Sequence, residues 1–361
     1  MRGVTASIPS PAAEDYALIA PLLLDWYDRH ARTLPWRIAP VAGGQAATAD
    51  PYRIWLSEVM LQQTTVAAVK PYFEKFISRW PDVAALAAAP EEDVMAAWAG
   101  LGYYSRARNL VACAREVAER GGFPATEAQL RALPGLGAYT AAAVAAIAFG
   151  QRAVVVDANV ERVVSRLFAI TQPLPASRRL IGQYADCITP HTRPGDFAQA
   201  MMDLGSGICT TRQPKCLLCP VANHCAARAS GDTARYPVKL PKKPKPTRQG
   251  CAYWIEQDDA VWLVTRQGKG MLGGMRSLPD DGWNAGSDGS GQPPVSGPWL
   301  DAGLVRHTFT HFALEMSVMR FQGSGPVAPD VAGEWWPIDR LEDAGLPTLF
   351  AKAATAAINA D

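Results

Sequence analysis

Apolar positions in the first two-thirds of the chain recur at helical steps. Ile19, Leu22, Leu23, Trp26 and Tyr27 put one face on a helix expected over 13–31. Residues 50–65, DPYRIWLSEVMLQQTT, read as a single amphipathic helix, with Asp50 as a good N-cap and Pro51 at the first helical position, where a missing N–H costs nothing. Helical text runs on to Gly121, with breaks expected at Pro71, Pro81, Pro90 and the GLGYY run of 100–104. Residues 132–150, ALPGLGAYTAAAVAAIAFG, set a glycine-rich turn directly before an alanine-rich apolar helix. A short apolar run, 153–156, then delivers Asp157 to a helix carrying Val160, Val163, Val164 and Leu167. Beyond residue 249 the pattern changes to strands. CAYWIEQ and AVWLVTR flank Asp258 and Asp259 as the arms of a hairpin would, and THFALEMSVMRF alternates. A Gly/Ser/Pro/Asp-rich mobile loop is expected over 279–298 and a closing helix over 345–358, so a β-rich α/β domain follows an all-helical one.

At 361 residues and 48% hydrophobic content, the chain can bury two separate cores. No stretch reaches membrane-spanning length and the N-terminus has no apolar run, so a cytoplasmic protein with no membrane partner is expected. A net charge of +1 announces no nucleic-acid partner by itself, but the charge is unevenly placed. Residues 233–248 hold six basic side chains and no acid, with prolines at 237, 241, 244 and 246. They read as a stiff connector marking a domain boundary, as readily a solvated linker as a phosphate contact. From 249 onward there are fourteen acidic residues against seven basic ones, so a second DNA-binding domain would have to bind despite that balance. Four of the seven cysteines crowd into 209–225, which suggests metal ligation in a reducing compartment rather than a disulfide framework.

Candidate chemistry begins at Glu58, which shares a helical face with Ile54 and Gln62 beside Trp55 and Leu61. A carboxyl among large hydrophobes has a raised pKa and can donate a proton near neutral pH, unless it is a hydrogen-bonded structural residue or escapes to solvent. Gly135 and Gly137 let backbone N–H groups approach an anion while the helix starting near Tyr139 adds its positive end; a phosphate would fit, although an ordinary helix–helix turn is the commoner use. Asp157 alone is an N-cap. Paired with Glu58, it completes the two-carboxylate equipment for cleaving a glycosidic bond through an oxocarbenium-like transition state. Cys209, Cys216, Cys219 and Cys225, separated by six, two and five residues, would hold either zinc or an iron–sulfur cluster.

LPWR, WLSEVMLQQT, GLGYYSRARNL, LPGLGAYTA, VDANVERV, AQAMMDLG and the cysteine loop occur in the order found in the MutY family of adenine DNA glycosylases. That family sits within the endonuclease III-like helix-hairpin-helix superfamily. The resemblance spans roughly 34–225 and resumes in the C-terminal domain. It implies a multidomain protein: an all-α helix-hairpin-helix glycosylase domain with an iron–sulfur loop, and an α+β MutT/Nudix-like domain. The divisions implied are 1–232 for the catalytic domain, with the hairpin at 132–150 and a [4Fe-4S] loop at 209–225 held by the four cysteines; 233–249 for the linker; and 250–361 for a domain that reads 8-oxoguanine.

The implied activity is monofunctional removal of adenine mispaired with 8-oxoguanine or guanine in duplex DNA, by flipping the nucleotide and acid-catalysed hydrolysis, in base excision repair. By resemblance, Glu58 is the general acid, Asp157 the carboxylate that stabilises the sugar cation, Asn159 its neighbour, and Tyr139 a hydroxyl close to both. Endonuclease III carries a Schiff-base lysine at the position of Tyr139, and tyrosine cannot form that adduct. Arg37, Leu61 and Gln199 match adenine-pocket positions, Gln63 and Tyr103 match residues that probe or wedge the duplex, and Gly135 and Gly137 contact a phosphate. Leu61 and Tyr103 could equally be core residues. Phe309, Thr310 and His311 match a lesion-reading loop, with Thr310 where the family usually has serine, while no glutamate-rich Nudix hydrolase signature is visible. A monomer in the bacterial cytoplasm, at the nucleoid through DNA, is the corresponding expectation. The competing readings are an endonuclease III-like or thymine-mismatch glycosylase and, outside enzymes, a lesion-binding scaffold. The insertion at 39–49 is assigned no role.

Overall fold

The computed structural model describes residues 16–41, 49–241, 244–266 and 271–360. The insertion at 39–49 and Lys242 and Lys243 of the basic stretch therefore lie mostly or wholly outside the described residues. The chain divides into two compact units, Met1–Pro241 and Lys242–Asp361.

The first unit is helical and built around two cores. One gathers the helices Pro51–Leu61, Val66–Arg79, Val83–Ala88, Glu91–Trp98, Ser105–Glu119, Glu127–Arg131 and Ala138–Phe149 around Trp55, Phe73, Phe76 and Trp98. The other gathers Ile19–His30, Ala158–Leu167, Arg178–Ile188 and Pro194–Gly207 around Leu23, Val164, Ile181 and Met201. Tyr139 and Ile147, both on Ala138–Phe149, touch both cores. That helix can lie centrally because its buried face is mostly alanine: small side chains let neighbouring backbones approach on every side.

Three local expectations change. The helix that starts at Asp50, whose side chain caps Tyr52 N–H at 2.9 Å, ends at Leu61 rather than Thr65. Gln63 has a left-handed φ of 58°, and Thr65 instead caps the following helix. Pro71 does not break Val66–Arg79. Its missing N–H costs one hydrogen bond, while Val69, Phe73 and Phe76 bury the same helix face and hold it together. The first helix is described from Ile19 to His30, shorter than the expected 13–31, of which 13–15 lie outside the described residues.

The second unit has a three-stranded sheet in the order β1 (Thr247–Trp254), β6 (Ala313–Phe321), β5 (Trp299–Thr308). Its other sheet is centred on β3 (Ala260–Thr265), which pairs with β2 (Glu256–Gln257), β4 (Arg276–Ser277) and β7 (Glu334–Pro337). The expected hairpin is thus only half present. Glu256–Gln257 turns back onto Ala260 and Val261 through Asp258 and Asp259 at φ 49° and 60°, the mirror-type turn that suits strand twist. The CAYW segment leaves that pairing and runs parallel to β6 instead. The stretch 279–298, expected as a mobile loop, is irregular but is tied down by Asp281, whose carboxylate accepts from Cys251 N–H at 3.0 Å and Gly291 N–H at 3.0 Å. Thr348–Ile358 supplies the closing helix and buries Leu349, Phe350, Ala353 and Ala354 in this unit's core.

Candidate active site

Eight of the eleven residues of Pro51–Leu61 are buried, Glu58 among them at 5% exposure. Leaving water pushes its carboxyl above the usual range, and the negative charge of Asp157 adds to that; a hydrogen bond from Tyr139 and the charge of Arg37 pull the other way without overcoming burial. The Tyr139 hydroxyl donates to Glu58 Oε2 at 2.6 Å and lies 3.4 Å from the Met202 sulfur. Burial beside the two carboxylates holds that phenol well above its ordinary value, so it stays a neutral donor.

Asp157 is the N-cap of Ala158–Leu167. Its Oδ1 accepts from Val160 N–H at 2.7 Å and its Oδ2 from the Asn159 side-chain amide at 2.8 Å. The capping role and a place in the site coexist because one oxygen does the capping and the other faces Asn159. Arg162, one turn on, donates to Asn159 Oδ1 at 2.9 Å and to the Cys209 carbonyl at 2.7 Å.

Glu58, Asp157, Tyr139 and Asn159 line one cleft of about 1130 Å³ together with Arg37, Leu61, Gln63, Gln199, Gly135 and Gly137. Ten residues singled out from the sequence thus converge, although the outermost, Arg37 and Gln199, are 162 positions apart. Gly135 needs its lack of a side chain twice over: φ is +74°, and a Cβ would stand 2.6 Å from that of Asn109. Tyr103 is half-exposed at 52% on the loop before Ser105–Glu119, so it is no core residue, and it does not line the cleft. Phe309, Thr310 and His311 belong to the second unit. There Phe309 stacks on Phe312 with ring centres 4.8 Å apart, and its carbonyl accepts from Lys245 at 2.7 Å.

The sequence reading missed Asp203. It is buried at 3% and accepts from Arg37 Nη1 at 2.7 Å and Arg32 Nε at 2.6 Å, so the guanidinium whose charge acts on Glu58 is held by a fixed counter-charge. Its only signal was its place in the AQAMMDLG run. Arg106 was also missed, because arginine on a helix with alternating polar positions reads as surface.

Cys209, Cys216, Cys219 and Cys225 line a second, small cavity with Arg166. Arg166 is 2% exposed; it donates to the Cys209 sulfur at 3.3 Å and to the carbonyls of Thr210 and Thr233 at 2.7 and 2.9 Å. Burial raises the Cys219 thiol to about 11, with the three other cysteines adding to the effect. Among the described residues, no group of three or more His, Cys, Asp or Glu side chains is arranged to close on a metal ion. Nor is any described helix long and apolar enough to cross a membrane.

The two-core helical unit, with two carboxylates and a glycine-rich turn in one cleft, falls in the class of base-excision DNA glycosylases by its family match. Residues 56–181 match the family model of the HhH-GPD superfamily base excision DNA repair protein, and residues 250–356 match that of a NUDIX domain. Among solved structures, a thermostable thymine-DNA glycosylase superposes with a TM-score of 0.53 at 29% identity, covering 60% of this chain and 98% of its own. A trapped endonuclease III–DNA covalent intermediate gives 0.50 at 21%, a likeness of fold alone. Human adenine DNA glycosylase is 35% identical, the match covering 87% of this chain and 69% of the human protein; the rat protein is 32% identical, covering 91% and 76%. The chain belongs to the adenine DNA glycosylase family, base excision repair enzymes that hydrolyse an N-glycosyl bond in DNA.

Proposed function

We propose that the substrate is duplex DNA carrying adenine opposite 8-oxoguanine or guanine, bound by a monomer, with the adenine extruded into the cleft around Glu58. The observation that carries this reading is a buried carboxyl with a raised pKa, hydrogen-bonded to a tyrosine and sharing its cleft with a second carboxylate. Glu58 in its protonated form donates to the departing adenine. Asp157, fixed by its own helix and by Asn159, faces the cation that develops on the sugar, and Glu58 as carboxylate then assists the attacking water. Arg37, Leu61 and Gln199 shape the base pocket, Gly135 and Gly137 receive a phosphate, and Gln63 and Tyr103 enter the duplex. With tyrosine at position 139 there is no amine to form a Schiff base, so base release proceeds without strand cleavage.

The proposed division of labour gives base release to 1–232 and opposite-base reading to 250–361 through Phe309, Thr310 and His311, with 233–249 between them. The four cysteines line one cavity, too widely set to close on a single metal ion, beside a buried guanidinium whose charge would offset that of thiolates, and this supports the larger [4Fe-4S] cluster as their occupant. Such a cluster would supply rigidity and charge to a DNA-contacting loop rather than the chemistry of base release.

Single-turnover release of adenine from matched duplexes with 8-oxoguanine, guanine or thymine opposite tests the reading. Rapid release opposite 8-oxoguanine, slower release opposite guanine and none opposite thymine is expected. Equal rates on all three would overturn the specificity.

A further inference from the structure

Gln63 and Tyr103 lie on different loops and both hold left-handed backbone, at φ 58° and 49°, which ordinary residues adopt only when their surroundings impose it. One side chain lies between them. Arg106, on the first turn of Ser105–Glu119, sends Nη1 to the carbonyls of Val59 and Met60 at 3.0 and 3.1 Å. Those carbonyls belong to the last turn of Pro51–Leu61, where no helical N–H remains to satisfy them. Its Nη2 reaches the carbonyls of Leu101 and Gly102 at 3.0 and 3.2 Å and the Thr64 hydroxyl at 3.4 Å. One terminal nitrogen therefore grips the segment that leads into Gln63, while the other bonds Thr64 just beyond it and grips the segment that leads into Tyr103. The guanidinium carbon also stands 5.2 Å from the Trp98 ring and 5.5 Å from that of Tyr103.

We propose that Arg106 is a positioning residue that sets the mutual placement of Gln63 and Tyr103, so that both meet the duplex together. The proposal rests on the reading that these two residues enter the duplex. Only a planar fork with fixed donors can span four carbonyls on two segments; a lysine ammonium keeps the charge but not the reach or the geometry. The need for this placement arises before chemistry, when the paired adenine is unstacked and extruded, which costs a few kcal/mol that a wedge must supply. Adenine with no partner base bypasses most of that cost.

The test is single-turnover excision by Arg106→Lys, Tyr103→Ala and the double variant, on adenine opposite guanine and on adenine opposite an abasic analogue, each referred to the parent enzyme. Arg106→Lys is expected to slow the paired substrate at least about tenfold, within the roughly 10²-fold that a misplacement of about an ångström can cost, and to leave the abasic-opposed substrate nearly unchanged. In the Tyr103→Ala background it should add little further loss. If Arg106→Lys proves too unstable to assay, Gly102→Ala substitutes for it: Gly102 has φ +68° and open space where a Cβ would go, so the change strains the loop backbone whose carbonyl Arg106 holds together with the Trp98 indole N–H, and the same substrate-selective loss is expected. Equal loss on both substrates, no loss on either, or a loss independent of Tyr103 would overturn the proposal. If Tyr103→Ala itself shows no preference for the paired substrate, the reading of Tyr103 as a wedge fails instead.

Discussion

The Tyr139 hydroxyl donates to Glu58 Oε2 at 2.6 Å, and this one bond sets a limit on how far burial can raise the Glu58 carboxyl. The bond favours the ionised form, so its removal should leave Glu58 protonated to higher pH. Tyr139→Phe is therefore expected to move the alkaline limb of the single-turnover pH–rate profile upward, while lowering the plateau because the acid loses an orienting partner. An unmoved limb would mean that another group titrates in the rate.

Glu58→Gln should keep shape and the Tyr139 bond but lose the proton, slowing base release by about 10²–10⁴-fold with DNA binding retained. Stability should change in the opposite sense. The folded pKa of Glu58 lies above the ordinary 4.5, so its contribution to folding is fully present below that value and is lost as pH rises through the folded pKa. Thermal unfolding of the Gln variant should match the parent in acid and exceed it increasingly as pH rises to neutrality. A variant that melts below the parent at neutral pH would contradict the burial argument.

Much of this site could be read before any fold was known, because its residues advertise local physics. Asp157 precedes an apolar-periodic helix, Gly135 and Gly137 precede another, and Glu58 interrupts a hydrophobic face; the structure puts all four in one cleft. What escaped the sequence depends on non-local pairing. Gln63 carries no glycine or asparagine to signal a left-handed helix exit, and nothing in the alternation of CAYW says that it will run parallel to β6 rather than back along β3. Asp203 and Arg106 escaped for a related reason. A charged residue on a helix reads as solvated until its partners, 166 and 47 positions away in the cases of Arg37 and Val59, are brought beside it.

Cys216→Ser tests the cysteine cavity. The hydroxyl is a far weaker ligand than thiolate, so cluster absorbance and iron content should fall, together with DNA affinity, while the rate of base release from enzyme that remains bound changes much less. Intact cluster content and undiminished affinity would remove Cys216 from the ligand set.

Asp203→Asn should act on both stability and pH dependence. The Asp203 carboxylate is buried between Arg37 and Arg32, and only 7% of the Arg37 side chain is exposed. Removing one partner of a buried pair leaves the other charge uncompensated, which here costs about 3 kcal/mol in unfolding by urea. The same change unmasks Arg37 next to Glu58. Because the charge of Arg37 lowers the Glu58 pKa, an uncompensated guanidinium should pull the alkaline limb of the pH–rate profile downward, opposite to Tyr139→Phe. The two variants thus move the titration of one carboxyl in opposite directions. Shifts of the same sign would show that Glu58 is not the group whose proton limits the reaction.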